Sequence, residues 1–502
     1  MTFTNKKTCT NQFAADNFYF LPLSAFQFGI FFLAVTIICG SNIVNAQSNP
    51  MRSNTPSAAS APNAAAGSNT ISSTTNQQSN QTLDKEIQEA YDKATAAFKE
   101  SKFDEALDIL KTIYAKRPET TPPRILMASM FAQAKLGEAV RAALEMGTEE
   151  TPNDPEAYLL LGEIALRQGN LTATDLLLRK AAETVNGYSA NITRKKNLTI
   201  STLRLYSTLY EVRRRWEQME QCIDQLIQQE GQNATLLRRK GIAIFNLKRD
   251  DEAKKIFLQA DQLDQTNKGT DPKGTESKGL PADAAMSQLY LTRGDKDTAR
   301  KYLEAALATY PKSKDVLILT VQMRINDDKL EEAMPIAQKL LAEDPTSAPA
   351  RRLCATVALY LQNYTLAEDL FQNLLLESPS DAQAQNGLAL ALCEQDKNPE
   401  KLKRALEYAV DNVRKNQNNG EFWGTLGWIQ YKLNNLNDAE NSLRRAASTG
   451  SINAATAYYT AKLAMKNNKN DDAKQFLTLA LKGDHQFAKR REAAKLLNEL
   501  TK

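Results

Sequence analysis

Histidine is almost absent from this sequence, and its scarcity limits the chemistry that the chain can support. His485 is the single histidine among 502 residues, whereas general acid–base catalysis and zinc sites most often use this side chain. The five cysteines show no Cys-x-x-Cys spacing, which argues against a zinc site and a disulfide framework. The sequence therefore predicts no catalytic residue, no metal ion and no cofactor, and we interpret His485 as a surface or cap residue.

Glycine and runs of strand-forming residues are also scarce. The chain has 20 glycines, and alanine, leucine, lysine, glutamate and glutamine dominate its second half, which favours helices. Its 63 basic and 59 acidic residues give a formal net charge of +4. A charge so nearly balanced gives no reason to expect nucleic acid as a partner. We therefore expect an all-α protein that does not bind nucleic acid.

One long apolar run lies near the N-terminus, from Leu21 to Cys39, and residues suited to a signal peptidase end at Ala46. We interpret residues 1–46 as a secretory signal peptide. Because the run is about as long as a membrane span, an uncleaved anchor over residues 21–40 is the alternative.

The next segment, residues 47–82, consists mostly of Ser, Asn, Thr, Ala, Gln and Pro. Such a composition buries too little apolar surface to offset its ordering entropy, so we predict a disordered linker. With the signal peptide, the expectation is an exported protein of the periplasm or cell envelope. With the anchor, the chain would be tethered to a membrane, and its folded part would still lie outside the cytoplasm.

Alanine recurs at a fixed spacing in the rest of the chain. The interval from Ala299 to Ala333 is repeated from Ala333 to Ala367 and again from Ala439 to Ala473. Polar or acidic residues precede most of these alanines, and several are followed by a proline at a constant distance. Self-similarity with a period of about 34 residues is typical of a helix–turn–helix array. The repeat positions that we single out are Ala106, Ala253, Ala299, Ala333, Ala367, Ala439, Ala473, Gly427 and Trp423.

Packing explains this pattern, because two antiparallel helices approach closely only where a small side chain stands at the crossing. The clearest copy has Trp423 and Gly427 in its first helix, then Ala439 and the bulky Leu443 in its second. At these positions the chain resembles the tetratricopeptide repeat family, over residues 83–502. The resemblance implies an all-α, right-handed superhelix of about eleven helix–turn–helix repeats with a C-terminal capping helix, in an exported protein of bacterial type.

The regularity of the repeats varies along the chain. We predict a degenerate block over residues 83–265, an inserted loop over 266–281, a regular block over 282–486 and a capping helix over 487–502. Charged residues of the last helix, Lys489 and Arg491 among them, suit a solvated outer face.

Proteins of this family bind peptides or protein segments in a concave groove lined by the first helices, so the resemblance implies groove positions here. These candidates are Arg204, Arg238, Arg352, Trp428, Tyr431, Tyr458 and Lys462. Residues 187–250 carry twelve basic and six acidic side chains, which indicates an acidic partner if it is not only a solvated helix face. The aromatic residues form either a groove patch or inter-repeat core.

The sequence thus favours a non-catalytic scaffold of the cell envelope that binds a protein or peptide in its groove. Two alternatives stay open: an exported helical toroid hydrolase with paired carboxylates, and a passive structural spacer. The strict period of the repeats argues against the hydrolase, because such a repeat forms an open superhelix and not a closed ring.

Overall fold

The computed structural model describes residues 86–266, 279–395, 397–450, 452–482 and 486–501. The signal peptide over 1–46, the anchor over 21–40 and the linker over 47–82 lie outside these ranges, as do most of the inserted loop and His485. They stay predictions. None of the helices in the described ranges combines the length and the hydropathy that a membrane crossing requires.

The described residues form 23 helices, and contacts divide the chain into two units at Gln232 and Asn233. The first unit contains α1 (86–99), α2 (Phe103–Lys116), α3 (Pro123–Gln133), α4 (Gly137–Glu150), α5 (Pro155–Arg167), α6 (Leu171–Gly187), α7 (Ile192–Val212) and α8 (Trp216–Glu230). The second unit contains α9 (Ala234–Asn246), α10 (Asp250–Thr266), α11 (Ala282–Arg293), α12 (Lys296–Thr309), α13 (Lys314–Asn326), α14 (Leu330–Glu343), α15 (Ala348–Tyr360), α16 (Tyr364–Glu377), α17 (Ala382–Cys393), α18 (Pro399–Lys415), α19 (Gly420–Lys432), α20 (Leu436–Ser448), α21 (Ala454–Lys466), α22 (Asn470–Leu481) and α23 (Arg490–Thr501).

Consecutive helices pair into hairpins, four in the first unit and seven in the second, and α23 follows as a single helix. This confirms the predicted all-α repeat array of eleven copies and a final helix. In each hairpin the odd-numbered helix is the first helix of the repeat and the even-numbered one is the second. The sequence blocks over 83–265 and 282–486 describe the regularity of the repeats and stay predictions.

The predicted crossing residues lie where the helices touch. All seven alanines singled out from the sequence are fully buried. At Gly427, an added Cβ would lie 2.7 Å from Cγ of Leu443, so the glycine is what lets α19 approach α20. Trp423 is half-buried in the same helix and donates an indole hydrogen bond to the carbonyl of Gln417 (2.9 Å).

A tight turn between the two helices sets the register of most repeats. One turn residue has positive φ in nearly every hairpin, as at Gly169 (73°) and Gln362 (62°). Asn363 then caps α16, and Ala367 follows one helical turn later at the crossing. In the third repeat, the residue at the same distance from the turn residue Gly169 is Thr174. Thr174 is fully buried, whereas the alanine pattern indicates Ala173 as the crossing residue. The turn therefore places the crossing residue of this degenerate repeat one position later than the alanine pattern predicts.

Replacing Gly427 by alanine should test the crossing. The new methyl group would overlap Leu443, so we expect a loss of about 1–3 kcal/mol in the free energy of unfolding, from overpacking. Thermal and urea unfolding followed by circular dichroism measure it. Gly137→Ala is the matched control, because a Cβ there meets nothing within 4 Å. Equal stability of both variants would contradict the assigned crossing.

Candidate functional site

Arg204 and Arg238, the two predicted groove arginines, are each paired with a carboxylate of their own repeat. The guanidinium of Arg204 on α7 contacts Glu230 at the end of α8 (2.6 Å). Arg238 on α9 contacts Asp264 (2.7 Å) and Asp261 (3.1 Å) on α10. Arg204 keeps 40% of its side chain exposed, whereas Arg238 keeps 14%. Only the first of them is therefore open to an external ligand.

The other two predicted cations connect one repeat to the next element of the chain. Arg352 on α15 donates to both carboxylate oxygens of Asp381, the residue that caps α17. Burial opposes ionisation of Asp381, but the hydrogen bond and charge of Arg352, together with the backbone amides at the start of α17, outweigh burial and lower the pKa of that carboxyl. Lys462 on α21 contacts Glu492 on α23 (3.2 Å). These side chains hold neighbouring helices together.

Four ion pairs of the chain have the same number of residues between the basic and the acidic partner. Arg204–Glu230 and Arg238–Asp264 share it with Arg124–Glu150 (2.8 Å) and Arg351–Glu377 (2.7 Å). The geometry follows from the antiparallel hairpin, in which the last turn of the second helix returns beside the first helix. Sequence reasoning missed this pairing, although a search for bases and acids at that common separation would have found it.

Other arginines of the basic stretch 187–250 also have carboxylate partners. Arg194 contacts Asp154 and Glu156, each at 2.6 Å, and its side chain is 12% exposed. Arg213 contacts Asp175 at 3.3 Å. The acids come from outside the stretch, so a count within residues 187–250 overstates its positive charge. The argument for an acidic partner from that count is correspondingly weaker.

The predicted aromatic patch is for the most part core. Trp428 and Tyr458 are buried, and Tyr431 is half-buried. The Trp428 ring stacks on Tyr431 (5.2 Å between centroids) and on Tyr459 (4.7 Å). Of the two interpretations of Trp428 and Tyr458, their burial favours inter-repeat core over a groove patch, because large rings at this spacing fill the space between repeats. Tyr431 alone keeps an accessible surface.

A surface of the second unit binds a segment of the chain itself. We call residues 486–492 the tail segment, and the residues that receive it the tail-contact surface. The part of this surface on the first-helix ends and the residues that follow them consists of Asn326 through its main-chain carbonyl, Asp328, Glu331, Tyr360, Tyr364 and Glu394. Tyr458 and Lys462 on α21 also contact the tail segment. Asn326, Tyr360 and Glu394 are one repeat length apart, at or just after the ends of three successive first helices. The tail segment thus lies across three repeats.

Glu394 is the centre of this surface. Its side chain is 6% exposed and contacts the ammonium of Lys489 at 2.8 Å. Trp428 Nε1 donates to the same carboxylate at 2.7 Å, and Lys432 lies 3.6 Å away. Lys489 also donates to the hydroxyl of Tyr364 (3.0 Å). Burial disfavours the charge of Lys489, but its contacts with Glu394 and Tyr364 together outweigh burial and hold the lysine pKa above its ordinary value.

The sequence interpretation of Lys489 as a solvated residue of the cap is therefore wrong. Its side chain is 12% exposed, because the residues before α23 bring it against Glu394. Arg491 is more exposed and contacts Glu331 (2.8 Å) and Asp328 (3.3 Å). No local motif marks these contacts. The polar residues that recur once per repeat at the ends of first helices are the one periodic signal that could have indicated the surface.

These hairpins, with small residues at their crossings and charged side chains on their first helices, define an α-helical repeat protein. In the ranges that the structure describes, no group of three or more His, Cys, Asp or Glu side chains could hold a metal ion. The tetratricopeptide repeat family matches residues 97–164, 290–357 and 355–416. Tetratricopeptide repeats are therefore present in both units of the chain, which confirms the resemblance. The repeats place it among protein-interaction scaffolds.

Known relatives share parts of the chain. A TPR repeat-containing protein of Pseudomonas aeruginosa is 25% identical over 206 residues, which are 41% of this chain and 33% of the relative. The match thus spans about a third of that protein's length. A tetratricopeptide repeat protein from Parabacteroides merdae is 14% identical and covers 54% of this chain and 99% of its own (TM-score 0.42). Yeast Tom70 is 13% identical and covers 83% and 96% (TM-score 0.32).

Arg238→Ala should show what the paired cations contribute. The variant leaves two mostly buried carboxylates without their cation, so we expect a loss of about 3 kcal/mol in the free energy of unfolding near neutral pH. Urea unfolding measures it. Lys314→Ala is the control, because its pair with Asp344 is largely exposed and should contribute less than about 1 kcal/mol.

The loss should also depend on pH. Burial already raises the pKa of Asp261, despite the presence of Arg238. Removing the arginine raises it further, so the folded variant takes up a proton more readily than the unfolded chain. The stabilisation that comes from a raised carboxyl pKa in the folded state is present at low pH and is lost as the pH rises. The deficit of Arg238→Ala should therefore be smaller at pH 5 than at pH 8, and a larger deficit at pH 5 would contradict this assignment.

Proposed function

We propose that the protein is a non-catalytic scaffold that binds a segment of a partner protein on the first-helix face of its repeats. The observation that carries the proposal is the tail-contact surface, where the ends of three first helices hold the tail segment, which leads through a turn into the first turn of α23. Main-chain and side-chain groups both take part: the Tyr360 hydroxyl donates to the carbonyl of Gln486 (3.4 Å), and the Gln486 amide donates to the carbonyl of Asn326 (3.3 Å). A face with such groups is suited to a peptide.

Photocrosslinking in cells of the native host should detect the partner. A photoreactive phenylalanine analogue replaces either Tyr431, on the first helix α19, or Leu376, which is exposed on the second helix α16. We expect a protein adduct of defined size from position 431 and none from 376, because the partner occupies the first-helix face. A spacer would give no adduct at either position, and equal adducts at both would contradict a groove ligand.

An acidic partner is a narrower part of the proposal, and Arg204 is the residue that supports it. Its guanidinium is oriented by Glu230, and 40% of the side chain remains exposed. A partner carboxylate would form a charge-assisted hydrogen bond with the free edge of the guanidinium. We expect Arg204→Gln to weaken binding of a Glu-rich peptide several-fold in fluorescence anisotropy, whereas Lys314→Gln should not. Unchanged binding by Arg204→Gln would remove the acidic preference.

We further propose that the scaffold works outside the cytoplasm, in the periplasm or cell envelope. The support is the apolar run from Leu21 to Cys39 and the cleavage position after Ala46. The N-terminal sequence of the protein recovered in the crosslinking experiment should begin at Gln47. A chain that retains residues 21–40 in the membrane fraction would instead support the anchor.

A further inference from the structure

We propose that the tail-contact surface recognises a basic segment with an aromatic anchor, and that the chain's own tail segment occupies it in competition with a partner segment of the same chemistry. The inference rests on the proposed scaffold function, and it specifies the ligand of one surface. The tail segment supplies the pattern, because Phe487, Lys489 and Arg491 alternate along it and each meets a different group.

The aromatic anchor enters the core of the second unit. Phe487 is 7% exposed, and its ring centroid lies 5.8 Å from that of Tyr458. Burial of a phenylalanine is expected to contribute much of the affinity in a contact of this size. The exposed pairs of Arg491 contribute little, whereas the pair of Lys489 with Glu394 is buried and costly to break. Phe487 therefore provides binding strength, and the two cations provide selection.

Selection comes from a carboxylate that is in position before the ligand arrives. Trp428 and Lys432 both contact Glu394, and neither belongs to the tail segment. When Lys489 leaves, Glu394 keeps these two contacts and its orientation. A preorganised acceptor of this kind binds without the cost of ordering its own side chain. This distinguishes the surface from an ordinary helix cap, which needs only an apolar face.

The charges on this surface select for a cation. Glu394, Asp328 and Glu331 bring three carboxylates to this surface, and the ammonium of Lys432 offsets one of them. Lys489 and Arg491 of the tail segment pair with these carboxylates. An acidic ligand would place carboxylates against carboxylates. The preference is thus opposite in sign to the one proposed for Arg204, so the two surfaces would bind different segments.

Occupation by the tail segment lowers the affinity of this surface for any other ligand. A segment that belongs to the same chain acts at a high effective concentration, on the order of millimolar for short linkers. A partner segment gains access only in the fraction of molecules whose tail segment has left. Weakening the contacts of the tail segment should therefore strengthen binding of a peptide added in trans.

The experiment measures binding of a fluorescent peptide to the full chain. The peptide copies residues 486–492 with blocked ends, and anisotropy gives its affinity. Lys489→Glu/Arg491→Glu in the chain places like charges against Glu394, Asp328 and Glu331, so the tail segment should leave. We expect this variant to bind the peptide at least about tenfold more tightly than the wild type, with faster hydrogen exchange over residues 486–492.

Two controls separate this effect from a general change in charge. Lys482→Glu/Lys495→Glu makes the same charge change at exposed positions on either side of the tail segment and should leave the affinity unchanged. Adding Glu394→Gln to the first variant should abolish the gain, and a peptide with glutamates in place of both cations should not bind. Circular dichroism confirms that the variants are folded.

Unchanged peptide affinity or unchanged hydrogen exchange in the Lys489→Glu/Arg491→Glu variant would overturn the inference, as would a gain that survives Glu394→Gln. Such a result leaves the scaffold proposal intact, because the adduct at position 431 does not require the tail segment to be a ligand. Loss of the adduct at position 431, together with the expected gain in peptide affinity of the Lys489→Glu/Arg491→Glu variant, would contradict the scaffold proposal and support the inference about the tail segment.

Discussion

The close approach of two helices at a small residue is the constraint on which the rest of this protein depends. Where Gly427 faces Leu443, a methyl group would lie within 2.7 Å of the leucine side chain, so the helices can meet only while that position stays small. The same requirement at Ala367 and the other buried alanines fixes how each hairpin closes. The surface residues of the first helices take their positions from that closure.

Electrostatic contacts follow from the same geometry. Because the hairpin is antiparallel, the last turn of its second helix lies beside its first helix, and a base on the one meets an acid on the other at a constant separation in sequence. Arg238 and Asp264 illustrate the buried form of this pair, and Arg204 and Glu230 the more exposed one. A charged residue on a first helix is therefore not by itself a binding residue, since its own repeat can supply the partner.

The two proposed interaction surfaces differ in how they are formed. Arg204 belongs to a contact within one hairpin and stays partly exposed. The tail-contact surface combines the ends of three first helices, and its central carboxylate accepts a hydrogen bond from Trp428, which lies outside the tail segment. The first surface would favour acidic segments and the second basic ones. A scaffold with surfaces of opposite charge could hold two partner segments without exchanging one for the other.

The sequence by itself determined the repeat. Its regular period predicts the eleven hairpins, and the alanines mark the helix crossings because small side chains are required there whatever lies around them. In the third repeat, the crossing residue is Thr174, one position after the alanine that the pattern indicates. The positive φ of Gly169 in the turn sets this position, and the alanine pattern contains no information about it. Only the tertiary structure decided which polar and aromatic residues are available to a ligand. Trp428 became core because its ring stacks between Tyr431 and Tyr459 and its indole donates to Glu394 of the preceding repeat. Lys489 became buried because it meets the same Glu394 from beyond the last hairpin, and a contact with a distant repeat leaves no period in the sequence.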